Sequence, residues 1–382
     1  MEAGGRRGER IEMTLMIFAI LLLVLSASIL LVVLWNVAAW PGFREAGRGE
    51  PRSVSVLIPA RDEESNLPGC LDSALMQNEV VGEVLVYDDH STDGTAEVVR
   101  RYAGRDRRVR LIEASSLPPG WCGKTYACAR LAEEAAGDWV IFLDADARLK
   151  GRAAERMLEE ARRRNVTLLS AWPALRLESF WEKALMPMLN YVVFTLFPAP
   201  LSLARWDASL GLAHGACILV ERASYFAVGG HASVRDQVFE DQRLAQAWRA
   251  GGQRGLCLDG RGVVSVRMYS SFGEIWGGFQ KNFFPAFRRE SSFWLFLLAH
   301  SVLFLGPLAL LAFTRAWPVW LAAACVLAQR ALLALRFNHP LWSALLHPVA
   351  EITLVALGLT SWWRCKSGRG VEWKGRKYRL AP

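Results

Sequence analysis

The chain has 382 residues, 52% apolar content and a formal charge of +8, which is long enough for one large domain and too apolar for an ordinary soluble protein. The positive excess gathers at the C-terminus, where Arg364, Lys366, Arg369, Lys374, Arg376, Lys377 and Arg379 face Glu372 alone. No nucleic-acid partner is expected, because that role needs basic residues on the folded domain as well.

Residues 1–12 form a short tail carrying Arg6, Arg7 and Arg10. Residues 13–35, "MTLMIFAILLLVLSASILLVVLW", run without a charge, long enough to cross roughly 30 Å of hydrocarbon. This reads as a transmembrane anchor. A signal peptide is the competing reading, but the run is longer than a signal core and no small-x-small site follows closely. The Gly/Arg/Glu-rich stretch 42–52 reads as a linker.

The region 50–290 has globular composition and alternates strand-like with helix-like segments. "SVSVLIPA" (53–60) reads as a strand, and Leu67, Leu71 and Leu75 then recur at helical spacing. "GEVLVYDDHSTDGTAEVVRRYA" repeats the pattern with a strand at 83–87, an acidic turn at 88–94 and a helix starting near Thr92 or Asp93. "VRLIEA" supplies a third strand, "GKTYACARLAEEAAG" a helix and "DWVIFLDAD" a fourth strand. Strands separated by helices imply a mostly parallel sheet with helices on both faces. Ligands of such sheets collect at the C-terminal strand ends, which here carry Pro59 to Glu64, Asp88 to Ser91 and Asp144 to Asp146. Three acidic turns at one edge repel one another unless a cation or hydrogen-bond donors sit among them. Mg²⁺ or Mn²⁺ on phosphate oxygens fits, since such ions use one or two carboxylates and leave the rest to phosphate and water. Neither a Walker A loop nor G-x-G-x-x-G follows the first strand. The seven cysteines form no C-x-x-C pair and no zinc spacing, and read as reduced thiols.

Six motifs follow in order: "IPARDEE" (58–64), "VYDDHSTDGT" (86–95), "LPPGWCGKTYA" (117–127), "LDAD" (143–146), "GGH" with "VFEDQRLA" (229–245) and "RMYSSFGEIWGGFQKN" (267–282). Together they resemble the inverting glycosyltransferases of family 2, with the nucleotide-sugar-binding fold termed GT-A. The match is nearest the branch that glycosylates carotenoid acids and other terpenoids, with hopanoid-associated enzymes close behind. The resemblance implies a UDP-sugar donor, a divalent cation, Mg²⁺ or Mn²⁺, and a lipid acceptor in the bilayer.

By the same resemblance Pro59, Ala60, Glu63 and Asp89 line the uridine and ribose, with Asp88 a candidate to share that task. Asp144 touches ribose or sugar, Asp146 coordinates the cation, and Lys124 offsets phosphate charge or is simply a solvated lysine. Asp241 matches the catalytic carboxylate, with Glu240 the second candidate. A base that takes the acceptor proton contributes typically about 10²- to 10⁴-fold. A carboxylic acid acceptor is already ionised near neutral pH, which leaves Asp241 an orienting role. Arg267, Trp276, Lys281 and Asn282 are candidates for diphosphate or acceptor contact, or for an interfacial helix with an aromatic anchor. His214 and His231 both lie near the expected acceptor side; His231 is a candidate acceptor contact by its motif, whereas a lone His such as His214 reads as a structural hydrogen-bonding group. The processive signature Q-x-x-R-W is absent after Asp241, which favours transfer of one sugar to one acceptor; the resemblance implies glucose from UDP-glucose as that sugar. Ceramide, diacylglycerol or polyprenyl-phosphate acceptors are the alternative, and a non-catalytic membrane scaffold a further one.

From 292 to 363 the chain is apolar again, in three runs that predict two or three spans. The middle run is the weakest, because Pro318 lies near its start and Arg330 inside it. Cytoplasmic nucleotide sugars place the catalytic domain inside a multi-pass cell-membrane protein. Three later spans would then leave the basic tail 364–382 outside, against the positive-inside rule, and two would keep it inside. The aromatic segment 180–206 is either a helix at the headgroup boundary or a core helix of the domain. Glu351 and His347, four apart, mark a bundle-facing polar pair.

Overall fold

A computed structural model describes residues 2–45, 47, 53–367, 369–373 and 376–378. Much of the linker expected at 42–52, and Lys374 and Arg379 of the basic tail, lie outside them.

The strands of the α/β domain are β1 (Val54–Ala60), β2 (Val81–Asp88), β3 (Val109–Ile112), β4 (Trp139–Leu143), β5 (Ala147–Leu149), β6 (Leu168–Trp172), β7 (Ala174–Leu175), β8 (Cys217–Glu221), β9 (Gly255–Asp259) and β10 (Val264–Val266), and a short hairpin of β11 (Val371–Trp373) and β12 (Arg376–Tyr378) follows near the C-terminus. Seven of them form one sheet in the order β3-β2-β1-β4-β8-β6-β9. The pairs β1/β2, β1/β4, β2/β3 and β6/β9 are parallel. β8 runs against both of its neighbours, a reversal invisible in the local pattern of its residues. β5, β10 and β7 make a small second sheet.

Two apolar faces sandwich the main sheet. On one, Leu67 and Leu71 of α2 (Leu67–Leu75), Val98 and Val99 of α3 (Thr95–Ala103) and Met157 of α5 (Ala153–Arg164) are buried. On the other lie α4 (Gly123–Glu134) and α10 (Glu240–Ala250). Leu244 and Trp248, four residues apart on α10, are fully buried, each worth about 1.5–3 kcal/mol. Trp248 Nε1 also donates to Thr167 Oγ1 at 3.0 Å. This packing holds in place the helix whose first turn presents Glu240 and Asp241. The helix starting near Thr92 or Asp93 in the sequence reading begins at Thr95, because Asp93 Oδ1 accepts the Thr95 N–H at 3.0 Å and keeps the turn outside the helix.

A third core joins the domain to its apolar helices. α1 (Glu2–Ala39) packs on α7 (Pro187–Leu196), burying Val33 with Tyr191 and Phe194. Asn36 Nδ2 donates to Phe194 O at 2.7 Å. The segment 180–206 therefore divides: α7 is a core helix, whereas α6 (Phe180–Leu185) leaves Phe180 and Trp181 exposed, and α8 (Ala199–Ala204) leads back toward the sheet.

After α9 (Arg222–Ala227), α10 and α11 (Phe272–Asn282), the chain leaves the domain at α12 (Glu290–Ala299), which runs through a π-helical turn (His300–Leu305) into α13 (Gly306–Leu310). Among the described residues three helices are long and apolar enough to cross a membrane: Glu12–Ala39, Glu290–Leu310 and Trp317–Phe337. The last of these, α14, is continuous through the run that looked weakest. Pro318 sits in its first turn, where the missing N–H is not needed, and Arg330 is buried, donating to Ser343 O at 3.3 Å. The final apolar run forms α15 (His347–Lys366), which is not one of the three. It packs against the α12 segment, with Glu351 3.0 Å from His300 Nδ1 and 3.6 Å from His347. Its end returns to the start of α12, where Lys366 meets Glu290 at 2.7 Å.

Candidate active site

The C-terminal ends of β1 and β4, the first turns of α4 and α10, and the loop before β8 enclose one cavity of about 670 Å³. Pro59, Ala60, Glu63, Asp89, Lys124, Asp144, Asp146, Glu240, Asp241 and Lys281 all line it. Asn282 does too. Two strand ends, two helix starts and one loop, far apart in sequence, thus meet at one chemical centre.

The centre is a charge network around Lys124. Its Nζ stands 2.8 Å from Asp144 Oδ1 and 2.8 Å from Glu240 Oε1. The cation expected among the acidic turns is therefore supplied in part by the chain itself. Burial works against the charge on Lys124, but the two carboxylates outweigh it and raise its pKa well above the ordinary value. Burial likewise opposes ionisation of Glu240, yet Lys124 holds that carboxyl below its usual range. For Asp144 burial dominates and the shift is upward.

Asp241 accepts the Gly215 N–H at Oδ2 and the Gln242 N–H at Oδ1, each at 2.7 Å. Burial, with the neighbouring Glu240 charge, pushes its carboxyl up to about 7 despite those bonds. A carboxylate poised near neutrality is suited to take a proton. A Cβ on Gly215 would stand 3.3 Å from Asp241 Oδ2 and 3.2 Å from Lys124 Nζ, so the glycine keeps the centre open.

The other acids of the loops do different work. Asp62 Oδ1 accepts the Thr92 N–H at 2.7 Å, Glu64 Oε2 accepts the Gly94 N–H at 3.0 Å, and Asp93 Oδ2 accepts the Glu64 N–H at 3.1 Å. They lace the loop after β1 to the loop after β2. Asp88 Oδ1 accepts the Ser91 N–H at 3.1 Å, and Asp88 is not among the residues lining the cavity.

Three further expected contacts stand off the cavity. Arg267 pairs with Glu178 at 2.6 Å and with buried Glu182 at 2.9 Å. Trp276 packs beside Phe272, with ring centroids 5.8 Å apart. His231 is buried and shares a 3.0 Å hydrogen bond with Tyr225. His214, read from sequence as structural, does line the cavity.

Arg61 and Tyr269 also line the cavity and escaped the sequence reading. Arg61 donates to Asp89 O at 2.6 Å, joining two of the loops. Tyr269 lies against Gly278, where a Cβ would come within 2.2 Å of its hydroxyl. The signal for both was present, since each sits inside a motif; what was missing was any cue to side-chain direction.

From this polar end the cavity extends into an apolar arm between α7 and α15, lined by Leu185, Met188, Leu189, Val192, Leu354 and Leu357, with Phe283, Phe287 and Phe296 on its flank. Among the described residues no group of three His, Cys, Asp or Glu side chains is arranged to hold a metal, and Asp144 is engaged by Lys124. Mg²⁺ and Mn²⁺ with nucleotides need only one or two carboxylates and take the rest of their ligands from phosphate and water, and Asp146 lines the same polar end.

Residues 55–226 match the family model described as glycosyl transferase family 2. A 4,4'-diaponeurosporenoate glycosyltransferase of Staphylococcus haemolyticus is 32% identical over 224 residues, spanning 58% of this chain and 58% of the relative's own length. The enzyme of the same description from Staphylococcus aureus is 27% identical over 346 residues, 86% of this chain and 89% of the relative. Among solved structures, a mannosyltransferase of Pyrobaculum calidifontis in complex with GDP-Man and Mn²⁺ superposes with a TM-score of 0.57 at 22% identity, covering 91% of this chain and 99% of that one. That likeness shows the fold, GT-A.

Proposed function

Since the chain carries the glycosyl transferase family 2 domain of nucleotide-sugar-dependent enzymes, we propose that it moves one sugar from a UDP-sugar, with UDP-glucose the donor, onto a lipophilic carotenoid or other terpenoid acceptor. The observation that carries this reading is the shape of the cavity, which holds Asp144, Asp146 and Asp241 together with apolar side chains of α7 and α15. The names of the relatives agree with it.

Pro59, Ala60, Glu63 and Asp89 bind the nucleoside, and Asp144 holds the ribose or sugar. Asp146 would hold a divalent cation, which would neutralise charge on the diphosphate. The acceptor oxygen attacks the anomeric carbon from the side facing Asp241. As the new C–O bond forms, the bond to the diphosphate breaks and UDP leaves with the electron pair, inverting the centre. With a hydroxyl acceptor the proton passes to the Asp241 carboxylate. With a carboxylate acceptor no proton moves, and Asp241 orients the attack. Glu240 keeps Lys124 in place at 2.8 Å.

The enzyme belongs in the cell membrane as a multi-pass protein with this domain in the cytoplasm, where nucleotide sugars are made. The contact of Lys366 with Glu290 supports a basic tail on the domain's side.

The test incubates membranes holding the wild type or Asp241→Asn with labelled UDP-glucose, Mg²⁺ or Mn²⁺ and an extract of carotenoid and other lipids. Label in one lipid band with the wild type alone supports the reading, and the band's absorbance identifies or excludes a carotenoid. Label in a ceramide, diacylglycerol or polyprenyl-phosphate band moves the acceptor assignment there. No transfer from any of several nucleotide sugars overturns it.

A further inference from the structure

We propose that His214 seats the acceptor's reactive oxygen, a carboxylate or hydroxyl oxygen at the end of a long apolar molecule, through its Nε2–H. The inference rests on the glycosyl-transfer reading and adds to it the residue at the junction between the two ends of the cavity.

The loop carrying His214 is tied down on three sides. Gly211 lies so close to α10 that a Cβ would stand 2.8 Å from the Ala245 backbone. Ser170 Oγ of β6 accepts the His214 N–H at 2.9 Å, and Gly215 N–H is held by Asp241. The imidazole stands edge-on to Trp172, ring centroids 5.1 Å apart at 81°, and Trp172 is in turn held by Asn190 Oδ1 at 2.8 Å. A ring so braced has little freedom to lose when a ligand arrives, which is the condition for a positioning group.

The hydrogen bonding selects the tautomer. Nδ1 accepts the Ala216 N–H at 3.2 Å, so in the neutral ring the proton resides on Nε2. No other hydrogen bond of this ring occurs among the described residues. Burial, assisted by the Lys124 charge, pushes the imidazole down to about 3. It therefore stays a neutral donor at working pH and does not compete with Asp241 for the acceptor's proton. Gly215, which Asp241 holds, follows His214 directly in the chain, Trp172 stands beside its ring, and all four residues line the cavity, where the head of an amphipathic acceptor has to meet Asp241.

The test uses the full-length protein in detergent with His214→Ala and His214→Gln, the second of which keeps an amide N–H near the Nε2 position. Binding of a long polyene monocarboxylic acid and of the corresponding alcohol is followed by the polyene absorbance, beside titration with UDP. The expected result is a Kd for the probe weakened about tenfold or more by the alanine variant and largely restored by the glutamine variant, with UDP affinity unchanged. Weakening for the acid alone identifies a carboxylate seat, and weakening for both a site for either oxygen. Equal probe affinity in the wild type and His214→Ala overturns the inference even if sugar transfer stands. Equal losses with alanine and glutamine overturn it in favour of a packing role for the ring. A wild type that binds UDP but neither probe overturns the acceptor class and the inference together.

Discussion

Asp241 Oδ2 accepts the backbone N–H of Gly215 at 2.7 Å, which fastens the first turn of α10 to the loop that enters β8. Through this one bond the candidate base and the open space beside it are positioned together.

Asp241→Asn keeps the shape and the Gly215 contact through its carbonyl oxygen but cannot take a proton. With a hydroxyl acceptor the transfer rate is expected to fall about 10²- to 10⁴-fold, while UDP affinity, measured by calorimetry, stays the same. A loss of both together would point to a folding defect instead.

The pH profile of the wild type should separate the two acceptor chemistries. Because the Asp241 carboxyl is pushed up to about 7, transfer to an alcohol is expected to rise with pH through about 7 as the base ionises. Transfer to a carboxylic acid, already ionised there, should lack that step. Rate measurements between pH 5 and 9 on matched acceptors check this.

Lys124→Met removes the charge shared by Asp144 and Glu240 at 2.8 Å each. The two carboxylates then lose their common partner, at a cost of about 1–3 kcal/mol, reduced from that of a fully buried pair by the solvent reaching them. The thermal midpoint should drop, and the KM for the nucleotide sugar should rise. An unchanged KM would remove Lys124 from the donor site.

Arg267 is expected to act through stability. Arg267→Ala frees Glu182, which is 1% exposed, and should lower the melting temperature at pH 7 with little change in donor KM. Burial opposes the Glu182 charge, but the Arg267 and Ser179 bonds outweigh it and hold its carboxyl down to about 2. A depressed carboxyl contributes stability that is complete above its unfolded value of 4.5 and fades as pH falls toward about 2. The gap in stability between wild type and variant should therefore narrow over that acid range.

Thr353→Trp places a ring in the apolar arm, at a residue that lines it and is only half-buried. Transfer to a long polyene acceptor should be lost before transfer to a short, truncated one, with UDP affinity unaffected. Equal loss for both lengths would exclude this arm as the acceptor channel.

Much of the molecule was legible from residue order alone. The 13–35 run announced a helix, because unbroken apolar length needs no partner to be recognised. Strand–helix alternation determined a mostly parallel sheet, and the motif order brought Asp89, Asp144, Asp146 and Asp241 to one end of it, since the C-terminal edge of such a sheet is common to every crossover. What the tertiary structure decided is direction and partnership. Asp88 and Asp89 are adjacent, yet one closes a turn and the other lines the cavity, because alternate residues at a strand end face opposite ways. Arg267 lies in a motif and serves Glu182, 85 residues away. His214 lies near the expected acceptor side, but nothing local distinguishes a cavity-lining imidazole from a buried structural one. Local sequence records propensity and chemistry, whereas which side chains meet depends on long-range packing that only the folded chain sets.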